Sequence, residues 1–562
     1  MDAEVSDTNP ASDREQAGRM VAAQRLQGFD QLDSPWVSRS QIARQLEIPN
    51  STLQYWLQQR QELLRNSGWP APAVRFFDSP TGLACLHQML TAAHLVFVQA
   101  NDCGIRSLCW FLELSGLDQF IAPSYGAQRD VAEEMESLLI RFGQQEDQRL
   151  AEDMPQQEIT LCEDETFHPQ ICLVAIEAVS NFILVEQYEP HRDAATWNRC
   201  LDERLACLPV TVCQVTSDQA KALITHTEIH LGAHHSPDLF HVQYDTVQAT
   251  SLALAGQTGR AEKELEATQQ QTLDVQQQGE ACRQQCPQTS YVESLEKQLQ
   301  QAQDDQAAAG QRVEDCRDRQ QRATAARQGL GHDYHPFDLE DGRPLDDQEV
   351  SQRLAGHFET LEEVASQAEL SSRALEKIAK ARRVLDAMQA TLRFFWTMIA
   401  VRFWSWQLSQ AEQQLLREQL IPGFYLARAA EKADTAQERQ RLRELSEEIL
   451  ARARSPDGLW DTLDVPRQSD LERKARACAD LFQRSSSCVE GRNGHLSLKH
   501  HALHQLTHRK LQALTVLHNY LVQRPDGTTA AERFYGSQPR ELFAWLLAHQ
   551  SHPSRPRARR AG

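Results

Sequence analysis

Three carboxylates, far apart in the chain, stand where strand or helix ends can deliver them to one place. Asp164 lies near the end of the run Ile159-Thr160-Leu161-Cys162-Glu163-Asp164-Glu165-Thr166-Phe167. Asp218 follows the run from Val210 to Ser217, and Glu490 sits in Val489-Glu490-Gly491-Arg492-Asn493-Gly494-His495-Leu496-Ser497, 272 positions later. Three such groups can hold two divalent cations. Two ions roughly 3.5–4 Å apart acidify an attacking water or 3′-hydroxyl and stabilise a leaving oxygen. Mg²⁺ prefers oxygen ligands and keeps several waters, so a few carboxylates suffice, with Mn²⁺ as a possible substitute. Such a pair of ions can carry phosphodiester transfer on DNA, which needs no covalent Ser or Tyr nucleophile.

Each residue also has a plainer reading. Strand alternation puts Glu163 and Glu165 opposite Asp164, yet the three acids also fit a solvated strand end. Asp218 can serve as a helix N-cap. Gly491 and Gly494 are poor helix residues. Either a helix starts nearby, capped by Ser485 to Ser487, or the glycines let backbone approach DNA. Helical spacing sets Asn493 and Ser497 on the side of Glu490. Arg492, Lys499, Arg509 and Lys510 then reach phosphates or form a solvated basic face. His226, His230 and His234 fall at i, i+4 and i+8, a spacing that can ligate zinc. No carboxylate or Cys accompanies them at a fixed offset, so a surface or DNA-facing stripe is expected. His241 orients a carboxylate or, as we expect, fills the core. Cys282 and Cys286 lack a second pair, which argues against zinc there.

The elements that must position these groups follow from periodicity. Ile159–Cys162, Ile171–Ala178, Phe182–Gln187 and Val210–Thr216 read as strands, with Ser180-Asn181 as a turn and a helix from Ala194 to Cys207. Three strands in meander, a helix, then a further strand is the order of an RNase H-like α/β fold. Before it, Val37 to Leu57 looks like a helix-turn-helix. Ile42, Ala43 and Leu46 form one apolar face, Ile48 packs the turn, and Asn50 or Ser51 caps a second helix with Leu53, Trp56 and Leu57 inward. Arg39, Arg44, Gln54, Gln58 and Arg60 are left to contact DNA. Residues 70–150 read as more helix, with Cys103 to Leu117 a second helical DNA-binding candidate.

After Asp245 the chain is Gln-rich and helical. Val292, Leu295, Leu299, Ala302, Gln306, Ala309, Val313 and Cys316 follow alternating three- and four-residue steps, a heptad seam. A weaker arm over 256–286, separated by Pro287, makes an antiparallel coiled-coil hairpin. A loop follows over 331–336, where His332 and His335 read as turn residues. Further helices run to about 483. Phe394 to Leu408, interrupted by Arg402, is the longest apolar stretch and reads as a buried helix, though an exposed ring there could hold a flipped base.

The motifs together resemble bacterial insertion-sequence transposases with an Asp-Asp-Glu catalytic core. Asp164-Glu165-Thr166-Phe167, Thr216-Ser217-Asp218 and His235-Ser236-Pro237-Asp238-Leu239-Phe240-His241-Val242 are similar to elements of that group, in that order. So are Glu490-Gly491-Arg492-Asn493 and Asp526-Gly527-Thr528-Thr529-Ala530-Ala531-Glu532-Arg533-Phe534. The resemblance implies catalytic and metal-ligating roles for Asp164, Asp218 and Glu490 with two Mg²⁺ ions, Asp164 bridging both and each of the others holding one. It implies cleavage at terminal inverted repeats and joining of the 3′-hydroxyl to target DNA by in-line attack. A homodimer or larger assembly on double-stranded DNA follows from the need to process two ends. The alternatives are a catalytically inactive DNA-binding coiled-coil scaffold, and a structure-selective nuclease that cuts without joining.

Composition sets outer limits. The 562 residues are 41% hydrophobic, enough for several packed domains. We expect a multidomain chain: a disordered tail over 1–35, a helical DNA-binding region with the helix-turn-helix over 36–150, and the first part of an RNase H-like core over 151–250. An all-helical insertion with the coiled coil then occupies 251–483, closing core helices 484–540, and a basic tail 541–562. The polar, acidic start resembles neither a signal nor a transit peptide, and thirteen Cys lack CxxC spacing, so a bacterial cytoplasmic, nucleoid-associated protein with reduced thiols and no membrane is expected. The net charge of −20 is unevenly spread. Residues 484–562 carry twelve Lys/Arg against four Asp/Glu, leaving −28 on the rest. A local basic face can bind phosphate despite an acidic total.

Overall fold

A single five-stranded sheet carries the residues of interest, and nearly everything else is helix. The structure, a computed structural model, describes residues 38–66, 68–101, 103–167, 169–285, 290–456, 458–503 and 506–556. The expected tail over 1–35 and Cys286 lie outside them.

The N-terminal region is helical throughout. It comprises α1 (Arg39–Gln45), α2 (Asn50–Asn66), α3 (Ala71–Phe77), α4 (Pro80–Ala93), α5 (Ile105–Leu114) and α6 (Tyr125–Glu152). A capping box closes the start of α1, with Ser38 and Gln41 bonding reciprocally. Ile42, Ala43, Leu46, Leu53 and Trp56 form the small core between α1 and α2, with Ile48 and Leu57 against it. The expected Asn50 or Ser51 cap is corrected. Helix α2 already includes Asn50, and the Pro49 carbonyl accepts the Thr52 and Leu53 N–H groups. Helix α4 continues as a π-helical segment to Ala100. This stretch, not Phe394–Leu408, is long and apolar enough to cross a membrane by composition, and half of it is buried within the protein. Its His94 and Gln99 are buried and bonded to Gln128 and the Ala132 carbonyl.

The sheet comprises β1 (Gln157–Phe167), β2 (Ile171–Glu177), β3 (Ile183–Glu189), β4 (Val210–Ser217) and β5 (His234–Pro237), in the order β3-β2-β1-β4-β5. Strand β2 runs antiparallel to both its neighbours, and β1, β4 and β5 are mutually parallel. The Ser180-Asn181 turn is held by the Glu177 carboxylate, which accepts from the Val179 and Ser180 N–H groups and the Ser180 hydroxyl. Asn181 takes the left-handed backbone that a short polar side chain tolerates. Helix α7 (Ala194–Leu205) packs Trp197 and Leu201 beneath the sheet, and α8 (Lys221–Thr225) follows β4. Strand β5 was not expected: its His234 had been placed on a helical stripe.

From Leu239 to Ala479 the described residues are mostly helical. The hairpin is formed by α9 (Leu239–Gln285) and α10 (Ser290–Asp333). Cross-pairs Arg283–Glu296, Arg312–Glu264 and Arg317–Glu262 fix its antiparallel sense. Val292, Leu295, Ala302, Ala309, Val313 and Cys316 of the heptad seam are buried. The expected loop over 331–336 begins later: α10 runs on to Asp333, residues 334–336 are non-helical, and His335 is buried with Nδ1 2.6 Å from the Tyr425 hydroxyl.

Behind the hairpin lie α11 (Asp347–Gln367), α12 (Ser372–Arg382), α13 (Leu385–Ser405), α14 (Gln410–Leu415), α15 (Ile421–Glu431), α16 (Ala436–Ala453) and α17 (Val465–Ala479). Phe337, Phe358, Phe395, Phe403 and Phe482 are among the residues of one core there. The aromatic helix α13 is buried on only one face, and Trp404 is 82% exposed.

Four helices close the chain: α18 (Ser487–Leu503), α19 (His508–Tyr520), α20 (Ala530–Tyr535) and α21 (Leu542–His549). They share one core with the sheet and α6, through Val489, Leu514, Phe534 and Trp545. Of the expected basic tail over 541–562, residues 557–562 lie outside the described residues, and its first part belongs to the core. Leu542, Trp545 and Leu546 are core residues, and Arg555 pairs with the buried Asp78 at 2.6 Å.

Candidate metal centre

The carboxyl ends of the parallel strands β1, β4 and β5 meet the first turns of α9 and α18. Alternation along β1 divides its acids. Glu163 is buried, with Oε1 3.6 Å from His226 Nε2, and Glu165 receives Trp197 Nε1 at 3.4 Å. Asp164 takes the other face, where Asn493 Nδ2 donates to its Oδ2 at 2.9 Å.

There Asp164, His241 and Glu490 converge. One donor atom from each lies within 4.8 Å of the others. His241 Nε2 stands 3.7 Å from Glu490 Oε1 and 3.7 Å from Asp238 Oδ2. Burial, with Glu490's charge adding to it, pushes the Asp164 carboxyl up to about 7. Burial also raises Glu490, and His241 partly offsets this. Two carboxylates and an imidazole whose acids resist ionising alone suit a divalent cation, which would replace the missing counter-charge. The Asn493 Oδ1 is buried beside them without a donor.

Asp238 makes the convergence possible. It is buried at the end of β5 and accepts from the Ser486 N–H (3.0 Å), the Ser486 hydroxyl (2.7 Å) and the Phe240 N–H (3.0 Å). The Glu490 N–H bonds the Ser486 carbonyl, so the anchored Ser486 sets the first turn of α18. The same carboxylate sets the first turn of α9, which carries His241. Gly491 and Gly494 lie within α18, and a Cβ at either would meet nothing within 4 Å. The helix does start nearby, at Ser487, and packing within the chain does not explain either glycine.

Residues 416–562 match the model of a family of unknown function, DUF6399. The matched segment contains Glu490 and Asn493 but not Asp164, Asp218 or His241. No curated protein and no solved structure matches the chain.

Asp218 stands apart from the trio. The β1–β4 pairing ends at Cys162 with Thr216, and Asp218 lies just past the end of β4, where its charge acts on Glu165. Its Oδ1 instead accepts the Ala220 N–H at 2.8 Å in a local turn ahead of α8. The N-cap of α8 is Ala220, with no side-chain cap bond, so the helix-cap reading of Asp218 is corrected. His241, expected in the core, is instead a member of the trio with a partly exposed ring. Its signal was present in the Asp-Leu-Phe-His-Val run, where Asp238 was also legible but unassigned.

Most of the basic residues expected near Glu490 face inward. Arg492 is buried in a two-pronged pair with Glu186 of β3, at 2.7 and 2.6 Å. Lys499 donates to the Ala100 carbonyl, and Lys510 donates to the Val98 carbonyl and to Gln99. Both lysines are buried, so these three are structural cations and not DNA contacts. Arg509 remains exposed but pairs with Glu136 and Glu133. The 526–534 motif is also a fastening, since Arg533 donates twice to the Ser180 carbonyl at the β2–β3 turn. On the helix-turn-helix, Arg39, Arg44, Gln54 and Gln58 are exposed, while Arg60 is half-buried 4.0 Å from Asp78.

The histidine stripe does not exist as a stripe. His226 is buried with Nδ1 2.6 Å from Asn198, His230 meets Asp202 at 2.9 Å, and His234 lies on β5 stacked against Phe394. The helix ends before His234, so the spacing i, i+4, i+8 loses its meaning.

Proposed function

We propose that the chain is a divalent-metal-dependent DNA phosphoryl transferase, a DNA transposase of the Asp-Asp-Glu type with an RNase H-like core. The observation that carries the reading is the convergence of Asp164 and Glu490, 326 residues apart, with His241 completing the set. The strand order supports it, because a three-strand meander, a helix and a parallel fourth strand is what an RNase H-like core requires. Asp164, Glu490 and His241 are the ligands for Mg²⁺ or Mn²⁺. A cation bound there supplies acidification of an attacking hydroxyl and stabilisation of the leaving oxygen. Asn493 holds the Asp164 carboxylate in place, and Asp238 positions the turns bearing His241 and Glu490. Asp218, just past the end of β4, is the carboxylate that would join a second ion by leaving its bond to the Ala220 N–H.

The helix-turn-helix with Arg39, Arg44, Gln54 and Gln58 is our assignment for recognition of transposon ends, and the hairpin α9–α10 for contact between copies in a dimer on DNA. The compartment we assign is the bacterial cytoplasm. The test is Mn²⁺-dependent cleavage and strand joining on duplexes carrying the inverted repeats that flank the gene. Asp164→Asn, Glu490→Gln and His241→Ala should each abolish it. Cleavage retained in all three would remove the assignment, and cleavage without joining would favour a nuclease.

A further inference from the structure

Most of the cations expected near Glu490 are engaged inside the fold, and the exposed Arg509 is paired with Glu133 and Glu136, but α12 presents another set on the surface. Arg373, Glu376, Lys377, Ala379, Lys380 and Arg383 line a groove of about 620 Å³. Ala374, Ile378 and Ala381 bury the opposite face of the helix, so steps of three and four residues keep the basic groups outward. Arg373, Lys380 and Arg383 are exposed, and Lys377 is half-buried. Among the described residues, no carboxylate lies within ion-pairing distance of Arg373, Lys377 or Arg383. Glu376 is the one acid in the lining.

The groove adjoins the metal centre. Lys380 Nζ bonds Asp245 Oδ2 at 2.9 Å, and Asp245 lies one helical turn from His241 on α9. Beside them Phe240 and Tyr244 stack at 6.2 Å with 22° between their planes, 43% and 50% exposed. Exposed rings next to a cationic groove suit a nucleic acid better than a simple polyanion: phosphates pair along the groove, and bases unpaired near the metal centre can stack on the rings.

We propose that the α12 groove is the track for the sugar–phosphate backbone of double-stranded DNA entering the Asp164–His241–Glu490 centre. Arg373, Lys377 and Arg383 are its phosphate contacts, spread over roughly 15 Å of helix. The inference rests on the functional reading above and adds the surface that holds the substrate. It also accounts for how so acidic a chain can admit DNA: the basic face belongs to the helical insertion, not to the closing helices.

The test uses the full chain, a labelled mixed-sequence DNA duplex and EDTA, so that binding is read without cutting. Arg373→Ala, Lys377→Ala and Arg383→Ala are combined in one variant, whose folding is checked by its melting temperature. The expected result is about a tenfold loss of affinity, with the slope of log K against log salt reduced by about 2–3, since each lost phosphate contact removes roughly 0.9. Unchanged affinity and slope would overturn the proposal, as would tighter binding of an RNA duplex or failure of the wild-type chain to bind the DNA. Mn²⁺ titration of the same proteins separates the two claims. Failure of the track alone leaves Mn²⁺ binding intact, whereas failure of the metal centre abolishes Mn²⁺ binding in the wild type itself.

Discussion

Asn493 donates from Nδ2 to Oδ2 of Asp164 at 2.9 Å, joining the first turns of α18 to β1 across 329 positions of chain. The bond holds one oxygen of the carboxylate that meets Glu490 and His241. Removing such an orienting partner at a metal site typically costs 10–100-fold in affinity or activity. Asn493→Ala should therefore weaken Mn²⁺ binding, read by titration calorimetry, by about that range. Its melting temperature should change little, because the amide sits at the site's edge. Wild-type Mn²⁺ affinity in the variant would show that Asn493 positions nothing.

The metal-free protein should lose stability as pH rises. Burial lifts the Asp164 carboxyl to about 7, so the folded chain retains a proton there that the unfolded chain releases near its ordinary value of about 4. The contribution is complete below about pH 4 and disappears as pH passes 7. Mg²⁺ or Mn²⁺ replaces that proton, so added cation should raise the melting temperature more at about pH 8 than at about pH 5. Differential scanning fluorimetry reads both trends. Asp164→Asn should flatten them, and a cation response independent of pH would contradict the assignment.

Arg492 should be a stability residue. Its guanidinium and the Glu186 carboxylate are buried together, and Thr515 also donates to Glu186. Breaking a buried pair from one side costs about 3–5 kcal/mol, because the other charge is stranded. Arg492→Ala should lower stability by that amount in urea titration, and Arg492→Met with Glu186→Met should recover most of it. A loss of DNA affinity without a loss of stability would restore Arg492 to the nucleic-acid surface.

How much of this was legible beforehand follows from the range of the signals. The first four strands, the Ser180-Asn181 turn, the α1–α2 core and the heptad seam are local patterns, and the chain follows them. Strand β5 has four residues, His-His-Ser-Pro, too short to show alternation. Asp164 and Glu490 were found because each stands in a recognisable run. His241 was misjudged because its partner Glu490 is 249 positions away, and no local period distinguishes a ligand from a core ring. Arg492, Lys499 and Lys510 failed for the same reason. A Lys or Arg in a basic run looks solvated until the carbonyls of Val98 and Ala100, or Glu186, are seen beside it.

Asp238 should govern placement, not chemistry. Asp238→Ala leaves the Ser486 N–H without its acceptor, at a cost of about 1–3 kcal/mol. It also frees the turns bearing Glu490 and His241, so Mn²⁺ affinity should fall with stability. Asp238→Asn keeps an acceptor oxygen and should restore much of both. Equal loss of Mn²⁺ affinity in the two variants, with Asn stability restored, would mean that Asp238 is itself a ligand.

The central claim is that Asp164, His241 and Glu490 hold a divalent cation, and anomalous diffraction from crystals soaked in Mn²⁺ tests it most directly. The account predicts a peak bonded to oxygens of Asp164 and Glu490 and to His241 Nε2, absent in crystals of Asp164→Asn. Saturating Mn²⁺ that leaves those three side chains bare, or a peak that survives the substitution unchanged, would contradict it.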